Sequence, residues 1–163
     1  MRQHLACVNA AVAVSSAKVQ GAELGSQQLV FEPGEVRAGE YSFSVGTAGS
    51  CSLVLQTVLP PLMSARGASR VMLSGGTHNP MAPPFHFLER CFAPLLRKLG
   101  VGLDLQLRRL GFYPAGGGEF SAALTPADAG LTPFDVIERG ALCEAYAECL
   151  APALTPRVAS RGL

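Results

Sequence analysis

The stretch Tyr41 to Met63, YSFSVGTAGSCSLVLQTVLPPLM, constrains the fold more than any other part of the chain. Tyr41, Phe43 and Val45 alternate with Ser42 and Ser44, the period-two pattern of a half-buried strand. Gly46-Thr47-Ala48-Gly49-Ser50 then breaks the pattern with small residues that let backbone N–H groups face a ligand. Leu53, Val54, Leu55, Val58 and Leu59 follow so densely that almost no polar face remains, which predicts a buried helix. Gln56 is the one amide inside it, and Pro60-Pro61 is expected to end or kink it, since Pro60 lacks the N–H of the helix ladder. A strand that feeds a buried helix calls for a mixed α/β (α+β) chain. A polar side chain stranded beside a glycine loop suggests a ligand site.

Bulk properties narrow the function classes. The 163 residues fit one domain, or one domain and a piece of another. An apolar content of 48% against 15% charged describes a chain with a sizeable core. A net charge of +1 supplies no whole-surface basic field, yet leaves room for local recognition of a nucleic-acid end. The five cysteines are odd in number and form no CxxC, so free thiols in a reducing cytosol are expected, and with them a cytoplasmic location. His4, His78 and His86 have no metal-ligand spacing, and a proline-rich loop separates the last two, so no metal site is expected. No apolar run reaches the length of a membrane span, and no leader pattern follows Met1. The absence of GxxxxGK[ST] rules out a P-loop.

Along the chain, Arg2 to about Ser16 reads as a helix that begins without an N-cap, a sign of truncation. Lys18 to Leu24 and Gln28 to Glu32 read as strands joined by Gly25-Ser26. Ser69 to Ser74 is a strand, and the loop GGTHNPMA leads to a helix from about Pro83 to Leu99, with a bend expected at Pro94. Leu88, Cys91, Phe92, Leu95, Leu96 and Leu99 make its apolar stripe, read as core. Leu103 to Arg109 and Phe120 to Leu124 are strands around GFYPAGGG. Phe134 to Ile137 and Cys143 to Leu150 are expected as strands, and Thr155-Pro156 as the start of a helix cut off at Leu163. Helix, strand, turn, strand runs from Arg2 to Glu32 and again from Pro83 to Leu124, which fits duplicated α/β modules. Residues 1–125 are expected to carry a partial first and a complete second module, and 126–163 the start of a third.

Four runs, GAELGSQ (Gly21 to Gln27), GTAGSCSLVLQTVLP (Gly46 to Pro60), SGGTHNPMAPP (Ser74 to Pro84) and GFYPAGGGE (Gly111 to Glu119), together resemble the RNA 3′-terminal phosphate cyclase family. The resemblance covers nearly the whole chain and weakens beyond Thr125. It implies repeated modules, each a four-stranded sheet with two helices, plus a smaller inserted domain. It also implies an enzyme that uses ATP and a divalent metal (Mg or Mn) to convert an RNA 3′-phosphate into a 2′,3′-cyclic phosphate. A histidine attacks ATP and carries AMP, AMP passes to the RNA phosphate, and the neighbouring 2′-OH displaces it. The family's glycine-rich first segment and its nucleophilic histidine lie outside these residues, so no catalytic residue is assigned, and His4, His78 and His86 are not promoted to that role. As a fragment the chain is expected to be inactive.

By the same resemblance Gln56 matches the ATP-contacting glutamine, Pro83 and Phe87 match residues beside the adenine, and Gln3 and His4 match polar residues near the phosphates. On chemistry alone, the Gln56 amide would sooner bond backbone, Phe87 would be core, and Gln3 and His4 would sit at a solvated helix end. Gly46 to Ser50 either receives phosphate at a helix start or is a plain turn. Arg108 and Arg109 either meet RNA phosphates or lie on a solvated strand edge. Leu110 and Phe120 depart from the family pattern. The alternative function is a non-catalytic RNA-binding or ribosome-biogenesis module that kept the scaffold.

Overall fold

A computed structural model of the chain describes residues 2–46 and 48–151. The chain divides into two units, Met1–Pro133 and Phe134–Leu163. In the first, helix α1 (Arg2–Ser15) leads to a two-stranded antiparallel ribbon, β1 (Lys18–Gln20) and β2 (Val30–Glu32). These strands are shorter than the sequence predicts. The chain turns away at Gly21, whose φ of 75° favours glycine, and a Cβ there would lie 2.3 Å from the Gln28 carbonyl oxygen.

The main sheet has the order β3-β4-β6-β5, with β3 (Glu40–Ser44), β4 (Ser69–Gly75), β5 (Gly102–Arg109) and β6 (Gly118–Thr125). Strands β3 and β4 are parallel, and helix α2 (Cys51–Met63) crosses between them. Strand β6 runs antiparallel to both β4 and β5. Val71 and Leu73, Leu103 and Leu105, and Phe120, Ala122 and Leu124 are buried at period two, so each strand offers one face to the same core. Val54, Leu55, Val58, Leu59 and Leu62 of α2 fill it from the helical side. Each such fully buried side chain contributes about 1.5–3 kcal/mol. Phe120, the departure noted above, packs against Phe85 with ring centroids 5.2 Å apart. From Glu40 to Thr125 the chain therefore forms the expected four-stranded sheet with two helical runs, and α1-β1-β2 repeats the order of its second half.

Two helical expectations are corrected. Of the end or kink expected at Pro60-Pro61, the end does not occur: helix α2 continues to Met63, and Ser64 closes it with its N–H and hydroxyl on the Pro61 carbonyl. The missing proline N–H groups would have met the carbonyls of Gln56 and Thr57, on the side of α2 that solvent reaches. Buried Leu62 beyond them keeps the last turn on the core. The second helical run is three pieces: α3 (Phe85–Phe87), a π-helical segment (Leu88–Phe92) and α4 (Ala93–Lys98). Pro94 has no N–H for Arg90, and the Ala93 N–H reaches back five residues to Leu88. This extra residue rotates the buried face. Leu88, Ala93 and Leu96 are inside, whereas Cys91 and Leu95 of the predicted stripe are exposed.

The second unit has no strand or helix among its described residues. The strands expected at Phe134–Ile137 and Cys143–Leu150 are not formed. Val136, Ile137, Leu142 and Tyr146 are exposed, and a lone apolar run without a partner strand has no ladder to hold it. The expected helix start at Thr155-Pro156 lies outside the described residues.

Candidate functional site

The sheet topology gathers loops at one end. Parallel β3 and β4 finish there at Ser44 and Gly75, β5 finishes at Arg109, and antiparallel β6 begins at Gly118. Three of the four glycine runs follow from these strand ends, and their backbones interlock. The Cys51 N–H donates to the Gly76 carbonyl (2.9 Å), the Gly76 N–H to the Gly49 carbonyl (2.7 Å), and the Thr77 N–H to the Gly111 carbonyl (2.8 Å). Gly111 and Gly118 pass so closely that a Cβ on Gly111 would lie 2.3 Å from the Gly118 nitrogen. The fourth run, Gly21 to Gln27, lines a different cleft of about 250 Å³.

The first turn of α2 is largely closed by its own chain. Ser50 caps it, its hydroxyl accepting from the Leu53 N–H at 3.4 Å and pairing with the Ser52 hydroxyl at 2.6 Å. Two donors of the helix start, those of Cys51 and Leu53, are thereby committed to protein.

The structure separates the other sequence-derived candidates. Gln56 is exposed, so it is not an amide stranded in an apolar environment. Helix α2 buries Val54, Leu55, Val58 and Leu59 and turns Gln56 and Pro60, four residues apart, toward solvent. Phe87 is 47% exposed rather than a core residue, and Pro83 is half-buried ahead of α3. Gln3 is not at a solvated helix end. Its Nε2 donates to the Ser50 carbonyl at 3.1 Å, tying α1 to the cap of α2, and its Oε1 is buried without a hydrogen-bond partner. His4 is exposed and lines the cleft with Gly25 and Gln28, apart from the loops that hold Ser50.

A polar chain that sequence spacing hid lies behind the GGTHN loop. The Thr77 hydroxyl accepts from the Gly111 N–H at 2.9 Å and meets His78 Nδ1 at 2.8 Å, and His78 Nε2 meets His86 Nδ1 at 2.9 Å. The Thr77 hydroxyl also lies within donating distance of the Gly111 carbonyl, at 3.3 Å, and the direction of the two histidine contacts follows the ring tautomers. The Phe112 ring stacks on His78 with centroids 5.1 Å apart. Burial, and secondarily the neighbouring His86, lower the His78 pKa from its ordinary 6.5. Asn79 ties the same loop to the glycine loop ahead of α2 by donating its amide N–H to the Ala48 carbonyl. The eight-residue separation across prolines concealed the histidine pair, and only the chain reversal that bonds the Phe85 N–H to the Thr77 carbonyl at 3.0 Å closes it.

At the same sheet end, Ser44, Gly46, Ser74, Gly75, Arg109, Ala115, Gly117 and Gly118 line an open cleft of about 280 Å³. Arg109 Nε donates to the Gly117 carbonyl. Arg108 instead pairs with Glu119 at 3.7 Å.

A family model described as RNA 3′-terminal phosphate cyclase matches residues 1–157. Relatives called RNA 3′-terminal phosphate cyclase from Pseudomonas fluorescens and Ralstonia nicotianae are each 53% identical over 163 residues, covering 100% of this chain and 47% of theirs. One of the same name from Ectopseudomonas mendocina is 48% identical over the same share. The chain thus spans about half the length of the curated relatives it matches. The chain belongs to the RNA 3′-terminal phosphate cyclase family.

Proposed function

We propose that this chain supplies the nucleotide-holding part of an ATP-dependent RNA 3′-phosphate cyclase, a ligase of RNA processing. The observation that carries the reading is the meeting of three family glycine runs at one end of the sheet, where α2 begins. Gln56 presents its amide to a nucleotide, the exposed ring of Phe87 and the half-buried Pro83 offer a flat apolar wall to a base, and Gln3, tied to the cap of α2, serves the phosphates, whereas His4, matched to the same role by resemblance, lines the other cleft. The unsatisfied Oε1 of Gln3 supports a polar ligand or water beside it. Residues 1–125 are the cyclase modules and 126–163 belong to the next one.

In the complete reaction a histidine nitrogen attacks the α-phosphorus of ATP and releases pyrophosphate. AMP then passes to the RNA 3′-phosphate, and the 2′-oxygen attacks that phosphate, expelling AMP and closing the cyclic diester. The histidines here do not fit the nucleophile: His78 and His86 are bonded to each other, and His4 lines the other cleft. Among the described residues no three His, Cys, Asp or Glu side chains gather; the divalent metal (Mg or Mn) of the reaction would be held through substrate phosphates with one or two carboxylates. No helix among the described residues is long and apolar enough to cross a membrane. The free cysteines support a reducing, cytoplasmic setting.

The test is incubation with ATP labelled at the α-phosphate. A version of this chain extended to the length of its relatives is expected to retain label covalently and to pass it to a 3′-phosphorylated RNA. The 163-residue chain is expected to retain none. An unlabelled extended protein overturns the proposal.

A further inference from the structure

We propose that the cleft beside Arg109 is a binding site for a phosphate group; it is lined by the same three glycine runs and so rests on the functional reading above, to which it adds a contact that reading does not name. Its cation is placed by a sequence-specific distortion. Leu107 pairs with Phe120 and Arg109 with Glu119, so Arg108 is an extra residue, a β-bulge that re-aims the side chains around it. The bulge gives Glu119 to Arg108. No carboxylate pairs with Arg109 among the described residues. Its guanidinium is steadied instead by the Gly117 carbonyl through Nε, which leaves the two terminal nitrogens for an oxyanion.

The rest of the cleft suits the same ligand. Ser44 and Ser74 bring hydroxyls from the ends of two parallel strands, the place where open sheets bind ligands. At Gly46 and Gly117 an added Cβ would meet nothing within 4 Å, so space is open beside the backbone. The cleft is open and of about 280 Å³, so it admits a phosphate carried by a larger molecule, a nucleotide or an RNA strand.

Amide chemical shifts of Gly46, Gly75, Gly117 and Gly118 in the 163-residue chain would be followed during titration with inorganic phosphate, metal-free ATP, or a short 3′-phosphorylated RNA. Saturable shifts are expected, weakest with inorganic phosphate. Whichever of ATP or RNA binds tighter names the source of the group. Arg109→Gln is expected to weaken binding by about tenfold or more, the usual effect of losing a charged hydrogen bond. Ser44→Asp leaves the Arg109–Gly117 bond in place and should weaken binding as much by charge alone, whereas Arg66→Gln, outside the cleft, should change nothing. No saturable shift with any of the three ligands overturns the proposal. Unchanged affinity in Ser44→Asp, with or without an effect of Arg109→Gln, overturns it too.

Discussion

Burial decides what single side chains of this chain can do. Cys51 is fully buried and its thiol is pushed up to about 12 by desolvation, so it stays protonated at neutral pH. Iodoacetamide at pH 8 is expected to modify exposed Cys91 and Cys143 and to spare Cys51, as read by peptide mass spectrometry. Labelling of Cys51 at the rate of Cys91 would contradict its placement. Exposed Gln56 supports little packing, so Gln56→Ala should leave stability within about 0.5 kcal/mol by denaturant unfolding. The same change should weaken ATP binding by the extended protein. His78 carries a sign that can be checked. Its folded pKa lies below the unfolded value near 6.5, so the unfolded chain takes up the proton first. Stability should be full above pH 6.5 and fall as the pH drops through the interval below it. His78→Asn should flatten that slope in urea titrations between pH 7 and 5.

At the scale of elements, the signature GFYPAGGG acts through backbone proximity. Gly111 and Gly118 are glycine because each Cβ would strike the other's backbone. Gly111→Ala is expected to cost more than about 2 kcal/mol in chemical denaturation, since backbone must move to admit the methyl. Gly117 has open space and a φ of 70°, so Gly117→Ala meets conformational strain alone, of about 1 kcal/mol. Equal losses for the two would refute this distinction. The apolar stripe of the second helical run was legible as a helix but not in its facing. Pro94 and the π segment before it add a residue to the turn, and period-3.6 reasoning then assigns Cys91 and Leu95 to the wrong side.

For the molecule as a whole, stability is expected to be uneven. Strands β4 and β6 each have two neighbours and buried residues at period two, while among the described residues β1 and β2 pair only with each other and leave Val30 and Phe31 exposed. Hydrogen exchange should therefore be slowest in β4 and β6 and fastest in β1, β2 and the described part of the second unit. Protection of β2 equal to that of β6 would show that the ribbon's open edge is covered in solution.

Sequence alone determined that the four segments of the main sheet are strands, the strand–loop–helix unit from Tyr41 to Met63, and the glycine runs that mark the family. These are local facts, set by spacing and by residues with special backbone freedom. Tertiary structure decided everything that depends on which elements become neighbours. It turned Gln56 outward, brought His78 against His86 across a proline loop, joined Gln3 to the cap of α2, and left Arg109 facing an open cleft. It also withheld strands from Phe134–Ile137 and Cys143–Leu150, because a strand's hydrogen bonds belong to its partner and none is present among the described residues.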